Sequence, residues 1–415
     1  MSGEPRARIA SALGAASTAA LVACAPSGPP RTSPVPLSAS LSMQLAPAAR
    51  TLDSAIAAGA APGAVLAVSY HGDRFEHSIG QLAVDDPRPP DGRTLYDMAS
   101  LTKVVALTSL AMFAVEDGKL ALDTPVVRYL PRFANGKGDK GAVTVRDLLL
   151  HDSGLPPDPV PGLWLTTKNR GQAVARALEI GLDTVPGARM VYSDVNAMTL
   201  MAILEKQYGK RIDALFDQRV ARPLGFSRMR YRPPSSWRDE IAATEIEAFR
   251  GPAALRGVVH DENAWWMSGV SGHAGLFSDA DDLLRFGEWA LAGTLGRPVP
   301  GPLQPPAEFA SWTVRQDHPA GSTRAIGWDT PSAAASSAGT LMSARSFGHT
   351  GFTGTSIWVD VDREVIVVLL TNRVNPTRTT PRFGQIRGVV ADAVIRCLFP
   401  DATPRPASPP RNPDP

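Results

Sequence analysis

Apolar residues fill the stretch "MASLTKVVALTSLAMFAVEDG" at residues 98–118 and leave it almost no polar face. A run of good helix formers closes at Gly118, so the pattern predicts a helix that ends there. Because a helix that is apolar all round is normally buried, we expect this one at the centre of the domain. It opens with Ser100 and Lys103, which one helical turn would bring side by side.

Strand and helix patterns also recur towards both ends of the chain. Near the start they predict a helix from about Met43 to Gly59 and a hairpin that turns at residues 71–73. Near the end they predict two strands turning at Asp362 and Arg363, then a helix at residues 386–399. Residues 293–343 are rich in loop signals and have no clear pattern.

The middle of the chain, to about Leu291, is mostly helical by the same criteria. It includes a helix at residues 197–208 after Asp194, and another that starts at Ser278 with acidic residues in its first turn. This order predicts an α+β fold, in which an antiparallel sheet from both chain ends is flanked by helices and carries a mostly helical insertion at roughly 104–291.

The composition of the 415 residues separates the two ends of the chain from the domain between them. Residues 1–24 resemble a bacterial lipoprotein signal peptide, with arginines before an apolar stretch and the lipobox "LVAC" ending at Cys24, the predicted lipidation site. An ordinary secretory signal is the alternative. Residues 25–42, rich in proline, serine and alanine, suit a flexible tether, the domain would span 43–400, and the proline-rich tail 401–415 would be disordered.

This division predicts a protein held by lipid on the extracytoplasmic face of a membrane, the outer membrane in a Gram-negative cell. No later segment reaches about 18 uninterrupted apolar residues. Cys397, the second cysteine, would then be an unpaired core residue. The net charge of +2, from 42 basic and 40 acidic residues without a basic block, gives no support for a nucleic-acid partner.

Ser100 and Lys103 form a Ser-x-x-Lys motif. A serine hydroxyl needs a base within hydrogen-bond reach to become a nucleophile, and a neutral lysine can serve. Neutrality would require burial or a neighbouring positive charge to lower the pKa of that lysine by several units. Taken alone, the pattern is better explained by a helix-start serine followed by a surface lysine.

Two later motifs support a catalytic role for this pair. "YSDVN" at residues 192–196 places the Tyr192 phenol on a loop before a buried helix, where it could pass a proton to a leaving group. "GHTGFTGTSIWVD" leads from His349 into a strand, and its small residues would let a substrate approach backbone N–H groups. Each also has a purely structural explanation.

The three motifs in this order resemble the serine β-lactamase and penicillin-binding-protein superfamily, in its class C-like branch of esterases and D-Ala-D-Ala carboxypeptidases. The blocks that carry the resemblance are "LYDMASLTK", "VRDLLLHDSGLP", "YSDVNAMTLMAILE" and "GHTGFTGTS". They span nearly the whole chain after the tether. The α+β fold above is the one that the resemblance implies.

The resemblance also implies roles. Ser100 would be the acylated nucleophile, Lys103 its base partner and Tyr192 the proton relay, with the backbone N–H groups of Ser100 and Phe352 as the oxyanion hole. The residues that it places around the substrate are Asp194, His349, Thr350 and Gly351. It implies no cofactor and no metal.

Two positions depart from the family pattern. His349 stands where lysine is frequent, and a mostly neutral imidazole attracts a carboxylate less than an ammonium does. Asp194 stands where asparagine is common and would repel an anionic substrate. We therefore expect a serine hydrolase acting on a small-molecule or peptidoglycan-peptide substrate as a D-Ala-D-Ala carboxypeptidase, as a penicillin-binding protein or as a carboxylesterase. The alternatives are a β-lactamase and a catalytically silent ligand-binding module.

The segment "VHDENAWWMSGVSGHAGLFS" holds four residues that could ligate a metal, His260, Asp261, Glu262 and His273. Their spacing matches no zinc motif, and internal hydrogen bonds within a glycine-rich loop explain them better. We expect the segment to shape the pocket rim, with Trp265 and Trp266 as wall residues. His151, in "LLLHDSGL", is expected to fix its loop.

Overall fold

Two strands from the start of the chain and three from its end form one antiparallel sheet in the computed structural model, which describes residues 38–379 and 383–406. Its order is β2-β1-β8-β7-β6, so the predicted sheet from both chain ends is confirmed. The strands of this sheet and of a second, three-stranded sheet are β1 Gly63–Tyr70, β2 Asp73–Gly80, β3 Tyr96–Asp97, β4 Arg230–Tyr231, β5 Leu276–Ser278, β6 Phe347–Thr350, β7 Ser356–Asp360 and β8 Val365–Thr371.

Helices surround the large sheet and fill the middle of the chain. They are α1 Ala39–Ala57, α2 Ser109–Glu116, α3 Val126–Tyr129, α4 Val145–Leu150, α5 Leu163–Thr166, α6 Arg170–Leu178, α7 Asp194–Tyr208, α8 Ile212–Phe216, α9 Glu262–Trp266, α10 Ala280–Thr294, α11 Phe309–Thr313 and α12 Ile386–Leu398. Two π-helical turns, Lys103–Thr108 and Asp217–Ala221, precede α2 and follow α8. Three short 3-10 helices are Pro131–Ala134, Lys140–Ala142 and Ser235–Glu240.

Side chains alternate between two cores because successive strand residues point to opposite faces of the sheet. Leu66 and Val367 pack on α1 and α12 on one face. Val65 and Val368 pack on the other face with α10 and the predicted central helix, whose residues from Leu101 to Ala114 are buried. The nucleophile motif is therefore anchored in the larger core.

The start of the domain lies further upstream than predicted. The first helix begins at Ala39 rather than near Met43, because the Ser38 hydroxyl accepts a hydrogen bond from the Leu41 N–H at 3.3 Å and caps it. The last four residues of the predicted tether, 25–42, are thus helical. Cys24, the signal segment and the rest of the tether lie outside the described residues.

The other end of the domain also extends beyond its predicted limit. Residues 401–406 are described, and the Arg405 N–H donates to the Thr340 carbonyl at 2.9 Å. These residues, predicted to be disordered, therefore contact the domain. Residues 407–415 are not described. No helix in the described ranges has the length and apolarity needed to cross a membrane.

The insertion predicted at roughly 104–291 differs in two respects. It contains β4 and β5, which pair with β3 in the small sheet. Its last helix, α10, is capped by Asp279 rather than Ser278, and packs on the large sheet. Gly287 permits this packing because a Cβ there would lie 2.8 Å from a methyl group of Ile366. The insertion therefore ends before α10.

Candidate active site

Ser100 lies on a turn between β3 and the central helix, and the residue before it has an unusual backbone. Ala99 has φ +45°, in the left-handed region that residues other than glycine rarely adopt. Its N–H donates to the Asp97 carboxylate at 2.8 Å, which fixes the turn. Strain of this kind persists where the surroundings over-determine it, often at functional sites. The turn holds the Ser100 side chain at the wall of a cavity.

Lys103 begins the π-helical turn and is buried below Ser100. Its Nζ lies 3.0 Å from Ser100 Oγ, so the predicted pairing of hydroxyl and lysine is present. The same Nζ lies 3.1 Å from the His273 carbonyl oxygen and 2.6 Å from Asp194 Oδ1. The first two contacts are hydrogen bonds, and the third is an ion pair without an aligned hydrogen bond among the described residues.

The charge of Lys103 differs from the prediction. Burial lowers its pKa, but the negative charge of Asp194, the Tyr192 phenol and their hydrogen bonds outweigh burial, so the net pKa lies above the usual value for lysine. The expectation of a lysine kept neutral by a lowered pKa is therefore wrong for the resting protein. Asp194, predicted among the substrate contacts, has Lys103 as its ion-pair partner and also lines the cavity.

The loop before α7 brings Tyr192 to the same place. Its hydroxyl oxygen is buried and interacts electrostatically with Lys103 and Ser100, although it has no aligned hydrogen-bond partner among the described residues. The His151 ring lies 4.6 Å from the Tyr192 ring, and His151 Nδ1 accepts a hydrogen bond from the Ser193 N–H at 3.1 Å. His151 therefore holds this loop, as predicted.

The third motif occupies β6, an edge strand of the large sheet. Two threonines of the following turn bind the nucleophile turn: Thr353 Oγ1 donates to the Asp97 carbonyl at 2.6 Å and Thr355 Oγ1 to the Met98 carbonyl at 3.2 Å. A Cβ on Gly351 would lie 2.5 Å from the Met98 carbonyl oxygen, so only glycine fits this approach. Thr350 and Gly351 line the cavity beside Ser100.

His349 is a neutral acceptor in this arrangement. Its Nδ1 donates to the Thr350 carbonyl at 2.8 Å, so its Nε2 is free to accept from Arg324 Nη1 at 3.4 Å. Burial, then the charges of Arg324 and Lys103, hold the pKa of His349 well below the usual value. The neutral imidazole expected from the sequence thus has a physical cause, an arginine that the sequence did not indicate.

Two backbone N–H groups remain available at the cavity. Among the described residues, no group accepts a hydrogen bond from the N–H of Ser100 or of Phe352. The Phe352 carbonyl is held by Arg373 Nε at 2.7 Å, which fixes the orientation of the loop. Paired free N–H groups beside a nucleophile suit stabilisation of an oxyanion.

The cavity has a volume of about 600 Å³ and is lined by both acidic and basic side chains. Acidic groups near Lys103 include Asp158, Asp194 and Asp261. The arginines of the lining are Arg324, Arg373, Arg378 and Arg387. A substrate bound at Ser100 could therefore meet charges of either sign.

Comparisons with known proteins agree with this geometry. The family model described as Beta-lactamase matches residues 48–390. The chain belongs to this family. A relative from Escherichia coli K12, provisionally named D-alanyl-D-alanine carboxypeptidase, is 32% identical over 71% of this chain and 72% of its own length. A relative of the same name from Salmonella typhimurium LT2 is 32% identical over 78% of each chain.

Several solved structures share the fold of this chain. EstCE1, described as a hydrolase with promiscuous acyltransferase activity, has a TM-score of 0.68, 25% identity, and a match covering 84% of this chain and 99% of its own. A class C β-lactamase from Rhodobacter sphaeroides has a TM-score of 0.64 and 19% identity over 85% of this chain and 99% of its own. Family membership and these relatives identify the protein as a serine hydrolase, as predicted from the sequence.

In the segment with the candidate metal ligands, His273 and Asp261 form the predicted internal hydrogen bonds, whereas the His260 side chain pairs with a residue outside the segment. His273 Nε2 lies 2.7 Å from Asp261 Oδ1, and the same oxygen accepts from the Ala264 N–H and caps α9. His260 Nε2 lies 2.8 Å from Glu245 Oε2. Burial lowers the pKa of His273, but the negative charges of Asp261 and Asp194 outweigh burial, so the net pKa lies above the usual value for histidine.

The prediction that Trp265 and Trp266 form the pocket wall is wrong. Neither lines the cavity. The residues of the segment that do are His260, Asp261, Glu262, Asn263, His273 and Ala274. Trp265 lies 6.2 Å from the Phe249 ring, and Trp266 Nε1 donates to Thr167 Oγ1 at 2.8 Å. The one-turn helix α9 directs its tryptophans away from Ser100, a direction that the sequence pattern does not reveal.

The arginines that line the cavity were not predicted from the sequence. Arg387 Nη2 donates to the Gly351 carbonyl at 2.6 Å, while its buried Nε has no partner among the described residues. Burial and Arg373 lower the pKa of Arg387 to about 9. Arginine is abundant in this chain and these residues fall in no motif, so the sequence carried no signal for them.

Proposed function

We propose that the protein removes the C-terminal residue from short peptides ending in D-amino acids, as a D-Ala-D-Ala carboxypeptidase does. The observation that carries this proposal is the Arg387 guanidinium at the cavity. It is largely buried, and no carboxylate of the described residues forms an ion pair with it. A buried charge without a partner is costly, and a substrate carboxylate would compensate it. The names of the Escherichia coli and Salmonella relatives support the same substrate class.

The roles proposed for the side chains follow from their positions. Ser100 Oγ attacks the scissile carbonyl carbon and forms an acyl-enzyme. The N–H groups of Ser100 and Phe352 receive the developing oxyanion, and losing one such donor typically costs about 3 kcal/mol in the barrier. Tyr192, which interacts with Ser100 and Lys103, passes a proton to the departing amine. Thr350 and His349 line the substrate side.

Carboxylic-ester hydrolysis is the second candidate. EstCE1, at 25% identity, is described as a hydrolase with acyltransferase activity. The neutral His349 also favours uncharged substrates more than a lysine there would. An ester substrate would use Ser100 and the oxyanion N–H groups without needing Arg387.

One experiment separates these candidates. The protein is incubated with a fluorescent penicillin, an activated ester, a peptide ending in D-Ala-D-Ala and the C-terminal amide of that peptide. Peptide cleavage that is lost in the amide and in Arg387→Met supports the carboxypeptidase, with Arg396→Met, an exposed arginine on α12, as the matched control. Ester turnover alone supports the esterase. Turnover or labelling that survives Ser100→Ala would contradict both.

The cellular location of the protein is a separate proposal. Cys24 after the lipobox would carry a lipid that holds the domain on the extracytoplasmic side of a membrane, where peptidoglycan peptides occur. Cys24→Ala should move the protein from the membrane to the soluble fraction, and Cys397→Ala should not. Membrane retention of Cys24→Ala would contradict the lipid anchor.

A further inference from the structure

Three oxygens lie within 3.1 Å of Lys103 Nζ, and the nearest belongs to its ion-pair partner Asp194. The distance of 2.6 Å from Nζ to Asp194 Oδ1 is shorter than the 3.0 Å to Ser100 Oγ and the 3.1 Å to the His273 carbonyl. A lysine whose positive charge is stabilised in this way cannot accept a proton until it has released one. Because Lys103 is buried, the nearest acceptor for that proton is the carboxylate beside it.

We propose that Asp194 is the proton acceptor of the acylation step and acts through Lys103. The inference rests on the proposed acyl-enzyme at Ser100. It replaces the expectation that Asp194 serves mainly to repel anionic substrates. It also gives a chemical reason for the departure from asparagine at this position, because an amide cannot take up the proton.

The step balances as follows. Lys103 Nζ gives one proton to Asp194 Oδ1 and becomes a neutral amine, and rotation about its Cε–Nζ bond turns the lone pair towards Ser100 Oγ. As Oγ bonds to the substrate carbonyl carbon, its proton moves to Nζ, and the carbonyl π electrons move to the oxygen. Lys103 is again an ammonium and Asp194 is a neutral acid. When the tetrahedral intermediate collapses, the departing group takes a proton from Tyr192, and Tyr192 regains it from Asp194 through Lys103.

Other charged groups surround this pair, and none replaces Asp194. Arg324 acts on His151 and His349. The titratable residues that act on Lys103 or Asp194 are Tyr192, Asp158, Asp261, His273, His151 and His349. Asp261 is engaged by His273 and by the cap of α9. Among the described carboxylates, Asp194 is the one that forms an ion pair with Lys103.

The test compares pH profiles of kcat/KM for Asp194→Asn and the wild type, using an uncharged activated ester and a carboxylate-bearing peptide. In Asp194→Asn, burial is no longer offset by a carboxylate and lowers the pKa of Lys103, which must lose its proton to solvent. We therefore expect kcat/KM to rise about tenfold per pH unit up to that lowered pKa. The wild-type profile should be flat over that range. At pH 6 we expect a loss of about 10²-fold for both substrates, within the usual contribution of general base catalysis.

Two further variants complete the test. Asp194→Glu keeps a carboxylate and should keep most of the flat profile, which shows that the asparagine variant fails for lack of a base. Asp158→Asn removes another carboxyl group, whose pKa burial and Asp194 raise to about 6, from the same cavity without breaking the ion pair. It should not introduce the tenfold rise of kcat/KM per pH unit. Melting curves of each variant establish that it is folded.

The outcomes are distinct. A folded Asp194→Asn with the wild-type profile, or with faster turnover of the anionic substrate alone, overturns the inference and restores the repulsion hypothesis. A folded Asp194→Glu as slow as Asp194→Asn also overturns it. If Ser100→Ala retains activity, it is the proposed function that fails rather than the role of Asp194.

Discussion

At the scale of single residues, the electrostatic partner of a motif side chain determines what that side chain can do. His349 would carry a charge in mild acid if it stood alone, yet Arg324 lies 3.4 Å from its Nε2 and keeps it neutral. The position that often carries lysine in this family therefore lies beside a fixed positive charge here. Restoring the family residue would place two cations together.

We accordingly expect His349→Lys to be destabilising and to bring no gain in β-lactam hydrolysis. An unpaired buried ammonium beside Arg324 should lower the free energy of unfolding by about 3 kcal/mol. The double variant His349→Lys with Arg324→Met should recover most of that loss, as urea denaturation in a double-mutant cycle would measure.

The control for this prediction is His71→Lys, the same chemical change at an exposed position. It should alter the free energy of unfolding by no more than about 0.5 kcal/mol. Equal stability of His349→Lys and the wild type would show that Arg324 does not set the charge state at this position.

At the scale of elements, the active site depends on how closely β6 approaches the nucleophile turn. Thr353 and Thr355 link the two backbones, and Gly351 lets them come together. The central helix contributes Lys103, the residue at which its π-helical turn starts. π-Helical turns are rare and often occur at functional sites. Three elements that are far apart in the sequence therefore meet at one contact region.

Gly351→Ala should disturb this contact. The added Cβ would lie 2.5 Å from the Met98 carbonyl oxygen, so the strand must move away from Ser100. We expect kcat to fall about 10²-fold, because misplacement by about 1 Å has effects of that size. The free energy of unfolding should fall by about 1–3 kcal/mol, the usual cost of overpacking.

Gly171→Ala provides the comparison for this glycine. It lies on α6, where a Cβ would make an ordinary contact at 3.4 Å. Alanine favours helices over glycine by up to about 1 kcal/mol, so this variant should be slightly more stable and fully active. If Gly351→Ala also keeps wild-type kcat, close approach of the strand is not required for catalysis.

For the whole molecule, elements with long periodic patterns could be predicted, and short or irregular ones could not. The central helix and the strands from both chain ends have enough residues to show their period. The small sheet has strands of two or three residues, too short for alternation to appear. Arg324, Arg373 and Arg387 all line the cavity. They come together through tertiary contacts, which sequence patterns do not show.

The charge state of Lys103 could not be predicted for a related reason. The motif Ser-x-x-Lys fixes the distance between Ser100 and Lys103, because both belong to one helical turn. Its ion pair with Asp194 joins residues that are far apart in sequence. Sequence patterns report local spacing well, whereas pKa values depend on neighbours brought in by folding.

The pH dependence of folding should reveal one more consequence of burial. Asp152, beside the loop of His151, is fully buried, and neither carboxylate oxygen has a hydrogen-bond partner among the described residues. Burial, and then Asp147, raise its pKa from 3.8 to about 7. The native state therefore binds this proton more tightly than the unfolded state does, so the stabilising effect is complete below pH 4 and is lost as pH rises to 7.

The substitution Asp152→Asn removes this titratable carboxyl group. Relative to the wild type, the variant should gain stability progressively from about pH 4 to pH 7 and then keep a constant advantage, since each pH unit contributes at most about 1.4 kcal/mol. Urea denaturation at a series of pH values measures this difference, with the more exposed Asp362→Asn as the control. Parallel curves for Asp152→Asn and the wild type would mean that this carboxyl group titrates alike in the folded and unfolded protein. A gain in stability confined to acid pH would mean that folding lowers the pKa of Asp152 instead of raising it.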